Sequence, residues 1–128
     1  MSIKRYNIDY DWKANVYIEI DDELCTEELL NEINTFWDGA EERLNDANGV
    51  LLNAVLILLS RTALNIQFEN NYNLRGVVDA FDWDAEFGEQ GIEGWPKMDG
   101  SFGIKIVGII GFQFESSDFT IKEQQNDK

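Results

Sequence analysis

The sequence predicts an α+β domain: an antiparallel sheet of three or four strands with helices packed on one face. Three observations carry this. Apolar residues alternate with period two at both ends of the chain, and they recur with helical period between about residues 27 and 81. Strands and helices do not alternate, so the crossovers of a parallel sheet are missing. The expected order is β-β-α-α-α-β, with room for a final β. A length of 128 residues fits one domain, and 44% hydrophobic residues are enough for a core without metal or disulfide staples. The domain is expected over 1–123, with 124–128 as a frayed tail.

Tyr6, Ile8, Tyr10 and Trp12 alternate with Asn7, Asp9 and Asp11, the pattern of a half-buried strand. Val16, Ile18 and Ile20 repeat it, and the short gap makes the pair a hairpin that Asp21-Asp22-Glu23 ends. Thr26 is a good helix N-cap, and Glu27 and Glu28 follow where the helix dipole favours negative charge. Leu29, Ile33, Phe36 or Trp37, Ala40 and Leu44 fall at helical spacing. They predict one helix over about 27–46, bent at Gly39 and stopped by Asn48-Gly49.

A second helix over about 50–68 is apolar on nearly all sides through Leu59, which marks it as central. Asn73 caps a short third helix carrying Leu74, Val77, Val78 and Phe81. The last strand runs from Gly103 to Glu115, with Ile104, Ile106, Ile110, Phe112 and Phe114 on one face. Gly108 and Gly111 point to a bulge or a close approach. Phe119 and Ile121 suggest a short edge strand.

Composition excludes more than it selects. The chain has no His, which removes Ser-His-Asp and Cys-His catalysis and nearly all zinc sites. Its one cysteine, Cys25, allows no internal disulfide and fits a cytoplasmic protein. Cys25 reads as a small buried filler, because no imidazole is present to activate it. The opening MSIKRYNIDYDW lacks the apolar run of a signal peptide. The apolar run Val50–Leu59 is shorter than the roughly 20 residues needed to span a bilayer. A net charge of −15 disfavours both nucleic acid and anionic membranes, and it favours basic partners.

The stretch AFDWDAEFGEQGIEGWP, residues 80–96, concentrates the interest. It can be laid on a calcium loop, with Asp82, Asp84, Glu86, Gln90 and Glu93 at ligand positions. Phe87 then occupies the position that needs glycine, and Gly94 and Pro96 block the exiting helix, so the match is a coincidence of acidic composition. Gly88, Gly91 and Gly94 are separated by acids that repel phosphate, which argues against a phosphate loop. An acid–base carboxylate pair flanked by stacking aromatics is a further reading. Trp83, Phe87 and Trp95 serve better as anchors that pin the loop to the core. What remains is an acidic strip of Asp79, Asp82, Asp84, Glu86, Glu89, Glu93 and Asp99, opposed by Lys97.

Two blocks resemble a small bacterial and mobile-element family known only as a domain of unknown function. One is Phe36-Trp37-x-Gly39-Ala40-Glu41-x-Arg43-Leu44. The other is Glu93-Gly94-Trp95-Pro96-x-Met98-Asp99-Gly100-x-x-Gly103-Ile104. The resemblance imports no catalytic residues. It implies a place in the conflict between host and invader.

The expected function is that of a non-enzymatic, cytoplasmic, acidic protein-binding domain whose partner is a basic protein. In its narrower form it is a nucleic-acid-mimicking inhibitor of a host defence protein. No cofactor, metal or catalytic residue is expected, nor any direct contact with nucleic acid or membrane. Monomer and homodimer stay open. The same residues leave two alternatives, a carboxylate-dependent enzyme acting on a sugar and an acidic housekeeping protein.

Overall fold

The computed structural model describes residues 2–84, 91–111 and 116–124. Strands β1 (Ile3–Tyr10) and β2 (Ala14–Asp21) form the hairpin. Its turn closes with Lys13 N–H donating to Tyr10 C=O at 2.8 Å, while Asp11 and Trp12 hold φ of 47° and 63°. Two left-handed residues give a turn whose twist matches that of the strands. The strand therefore stops at Tyr10, and Trp12 stands 91% exposed at the tip.

Four helices follow: α1 (Glu27–Phe36), α2 (Ala40–Asp46), α3 (Leu51–Asn70) and α4 (Leu74–Ala80). Strand β3 (Ile104–Ile110) then pairs antiparallel with β2, giving the sheet order β1-β2-β3. The fold is α+β with helices on one face of an antiparallel sheet, but the helix count differs from the expected three. The single helix expected over 27–46 is broken, not bent. Trp37 is extended at φ −100° and ψ 146°, and Gly39 takes φ 86°. An L side chain at that φ is strained, so glycine makes the break tolerable.

Val16 and Ile18 of β2 are fully buried and Ile20 nearly so, while Tyr17 and Glu19 on the other face are half-buried. Helix α3 lies against β1, β2 and the other three helices. It extends beyond the apolar run Val50–Leu59. At 20 residues it is the one helix among the described residues that is long and apolar enough to cross a membrane. Here Ala54, Val55, Leu56, Leu59, Ala63 and Leu64 are buried in the core. Each large aliphatic side chain buried in this way contributes about 1.5–3 kcal/mol. Phe81 and Met98 close the core from the segments flanking the acidic loop.

The bulge expected near Gly108 exists, and it corrects the strand's facing. Ile18 pairs with Ile106 but Tyr17 pairs with Gly108, which leaves Val107 as the extra residue. Side chains alternate with period two, so one inserted residue reverses the faces beyond it. Ile104 and Ile106 are buried, Ile109 packs against the core opposite Val16, and Ile110 turns out to 51% exposure. Ile110 therefore does not share a face with Ile104 and Ile106. Phe112 and Phe114 lie outside the described residues. The final edge strand is absent from 116–124: Ser116–Asp118 is a 3-10 turn, and Phe119 and Ile121 are 67% and 95% exposed.

Candidate functional site

The site begins with a stripe on α1. Thr26 caps the helix, its Oγ1 accepting from Leu29 N–H at 3.2 Å. Leu29, Glu32, Ile33 and Phe36 then fall at i, i+3, i+4 and i+7, so they project from one side of the helix. Ile33 is buried, and Phe36 is 52% exposed at the helix end. Facing this stripe are Trp83 and Asp84 after α4, and the turn Gly94-Trp95-Pro96-Lys97. Phe102, before β3, completes a cleft of about 590 Å³ whose lining is mainly apolar.

Trp83 and Trp95 tie the two ends of the acidic loop together. The Trp83 Nε1–H donates to the Trp95 carbonyl at 2.8 Å. Trp95 is 3% exposed and meets Phe81 edge to face, with ring centroids 6.2 Å apart. Trp83 stays half exposed as a cleft wall. Gly94 has φ 85°, and a Cβ there would overlap the Phe36 ring. Glycine thus lets the turn approach α1 closely enough to make the cleft.

The acidic strip is not bare charge. Lys97 Nζ lies 3.5 Å from Asp82 and pairs directly with Asp84, so one ammonium stands between the two carboxylates. The hydrogen bond to Asp84, helped by the charge of Asp82, holds the Lys97 pKa above the ordinary lysine value. Asp99 Oδ1 accepts from the Ser101 N–H at 2.9 Å and from its hydroxyl at 2.5 Å. Those two bonds hold the Asp99 carboxyl below its ordinary value. Asp79 has a loose partner in Arg75 at 3.9 Å, four residues back on α4. Glu93 is exposed in the turn before Gly94. Glu86, Phe87 and Glu89 lie outside the described residues. None of the described carboxylates is buried, and among the described residues no three acids or cysteines gather in metal-ligand fashion.

Trp95 also walls a second cleft, of about 480 Å³, with Trp37, Arg43, Leu58, Arg61 and Ile92. Arg43 is held there by carbonyls at the end of α1. It donates to the carbonyls of Asn34 at 2.6 Å, Trp37 at 2.9 Å and Asp38 at 2.6 Å. In the sequence, Phe36 or Trp37 falls at helical spacing with Leu29 and Ile33, and neither Glu32 nor Phe102 is marked as a site residue. The stripe at 29, 32, 33 and 36 was a signal available on α1. Nothing near Phe102 in sequence announced its role.

An α+β domain with an aromatic cleft between a helix and an acidic loop is the class that fold and site define. The family model described as "Protein of unknown function (DUF2528)" matches residues 15–121, and the chain belongs to that family. It is similar to "Protein ea10" of Escherichia phage lambda, at 52% identity over 122 residues, covering 94% of this chain and 97% of the relative. It is equally similar to "Lambda prophage-derived protein ea10" of Escherichia coli strain CFT073, with the same 52% identity and the same coverage. No solved structure matches.

Proposed function

We propose that this chain is a phage-borne protein-binding domain that docks an apolar side chain of a basic partner protein in the cleft beside α1. The observation that carries the reading is the cleft wall itself. Phe36, Trp83 and Phe102 are each about half exposed around the buried Trp95. Aromatics gathered around a concave site and already held in place are the side chains that most often dominate protein–protein binding energy. Glu32 and Asp84 line the same cleft, Asp84 in its pair with Lys97. Acids on that rim speed encounter with a basic surface and select against acidic ones.

The narrower reading is that the partner is a nucleic-acid-binding protein of the host's defence and that this chain occupies its basic groove. The net charge of −15 and the phage and prophage relatives support it.

The test is a pull-down from host lysate at low and high salt, with wild type beside Phe102→Ala and Glu32→Arg. The expected result is enrichment of a basic protein that both substitutions release and that salt weakens. Nucleic acid added in excess should compete for the captured protein. Capture that ignores salt and both substitutions would overturn the docking reading. So would retention of the chain itself on a single-stranded oligonucleotide in place of any protein.

A further inference from the structure

Over Ile3–Asp9 the outer edge of β1 is long and regular, and no strand among the described residues covers it. Among the described residues β2 is the strand that β1 pairs with, and all eight β1 residues stay in register without a bulge. The chain's single proline is Pro96, so none interrupts this edge. Natural edge strands are usually kept short, bulged, proline-broken or charged, because an open edge recruits another strand. Of those guards this edge has charge alone. Its charges are of both signs, Lys4 and Arg5 near one end and Asp9 near the other, so a second copy can pair with them.

We propose that β1 pairs antiparallel with β1 of a second copy of this chain, joining two three-stranded sheets into one of six strands. The register follows from the sequence. Facing residues in an antiparallel pair lie on the same face of the sheet. A two-fold axis at Asn7 therefore sets Asn7 against Asn7, Tyr6 against Ile8 and Arg5 against Asp9. The Arg5–Asp9 pair occurs twice, once on each side of the axis. Arg5, Asn7 and Asp9 are exposed on the outer face, where the Arg5 guanidinium rests 5.6 Å from the Tyr17 ring centroid. Tyr6 and Ile8 are half-buried on the helix side, and covering them from across the axis removes further apolar surface from water.

Shifting the axis by one residue along the strand, to Tyr6, would set Arg5 against Asn7 and Asp9 against Ile3, losing both ion pairs. Charge does not oppose contact at this edge. Two bodies of net charge −15 repel, but residues 1–13 hold three of the ten basic residues, Lys4, Arg5 and Lys13, against two acids, Asp9 and Asp11. The contact falls on a stretch without net negative charge. The far edge of the sheet is less open, because Asp99 bridges to Lys105 and Ile106 N–H donates to the Met98 carbonyl there.

The experiment is sedimentation equilibrium of the full chain, with urea melts as the folding control. Wild type is expected at twice the 14.7 kDa chain mass. Arg5→Asp and Asp9→Arg should each give a monomer, since each faces like charge with like across the axis. The double variant Arg5→Asp/Asp9→Arg should restore the dimer. A second measurement reads the register directly. Asn7→Cys lies on the axis, within disulfide reach of its own copy, and should cross-link on mild oxidation. Arg5→Cys faces Asp9, leaving its own copy roughly 13 Å away along the strand, and should not. A monomeric wild type overturns the proposal. So does a dimer that survives both single substitutions, or one that cross-links through Arg5→Cys and not Asn7→Cys.

Discussion

Arg43 Nε donates to Oδ1 of Asn34 at 2.9 Å, and the same guanidinium caps the end of α1 through three backbone carbonyls. Asn34 is 2% exposed, and its Nδ2 returns a bond to the Ala40 carbonyl at 3.2 Å. The break between α1 and α2 leaves orphan carbonyls, and one side chain from the second helix satisfies three of them. This gives the Phe36-Trp37-x-Gly39-Ala40-Glu41-x-Arg43 block a structural reason. Gly39 turns the chain, and Arg43 reaches back over it.

Arg43→Lys should therefore be costly despite keeping the charge. An ammonium is a compact point donor and cannot span this set of acceptors. Carbonyls left without partners cost about 1–3 kcal/mol each when shielded from water. A loss of about 2–4 kcal/mol in urea unfolding is expected, with little change in slope. A loss under about 0.5 kcal/mol would show that water replaces the guanidinium freely.

Gly94 and Phe36 give a second prediction, on cleft and stability together. Gly94→Ala puts a methyl into the Phe36 ring at a φ of 85°. Two costs add: strain of about 1–2 kcal/mol for an L residue at that φ, and displacement of the ring. Gly94→Ala in a Phe36→Ala background keeps the first cost and loses the second. The penalty should be smaller in that background by about 1 kcal/mol or more, read by a double-mutant cycle in urea. Equal penalties would mean that the ring moves away at no cost and that Gly94 does not shape the cleft.

The fold was legible where period alone decides. β2 alternates cleanly because one face is wholly buried, and α3 read as central because it is covered on several sides. Three features were not legible, each for a local reason. Helical spacing runs through 27–46 unbroken, since Trp37 and Gly39 interrupt the backbone without disturbing the apolar order. Val107 is as apolar as its neighbours, so the sequence cannot reveal that it is the bulged residue, and the facing of Ile110 follows from that one insertion. The cleft joins residues as far apart as Leu29 and Phe102, and contacts of that separation leave no periodic trace. The acidic strip was visible as composition, but its pairing was not: nothing in the spacing shows Lys97 taking Asp82 and Asp84 together.

The Asp99 and Lys97 shifts act at opposite ends of the pH scale. Asp99 is depressed below its ordinary 3.8, so its contribution is present above that value and lost as pH falls through the folded pKa. Lys97 is raised above 10.5, so its contribution is present below that value and lost as pH rises through the folded pKa. Asp99→Asn should narrow the stability gap to wild type as pH falls below 3.8, and Lys97→Gln should narrow it above 10.5. Between them both gaps should be flat. Melting temperatures across that range decide it, and a Lys97→Gln gap that already closes near neutral pH would contradict the pairing with Asp84. Lys97→Gln also adds a net negative charge to the loop, so its deficit should shrink with added salt.

Cys25 gives the last prediction. It is 5% exposed, and burial pushes its thiol up to about 11 from an ordinary 9.0. Its backbone N–H lies directly beneath Gly103, where even a Cβ would collide, so the site is closed by main chain and not by a movable side chain. The thiolate is the reactive form. A rise of two pKa units leaves about a hundredfold less of it at pH 8 than an unperturbed cysteine has. Steric closure slows attack further. Reaction with a chromogenic disulfide at pH 8 should therefore be more than a hundredfold slower in the native protein than in denaturant. Substitutions that loosen the neighbourhood, such as Gly103→Ala, should speed it in proportion to the stability they remove. Modification of native wild type at the rate of free cysteine would show that Cys25 is open to solvent, and with it the reading of a structural thiol would fall.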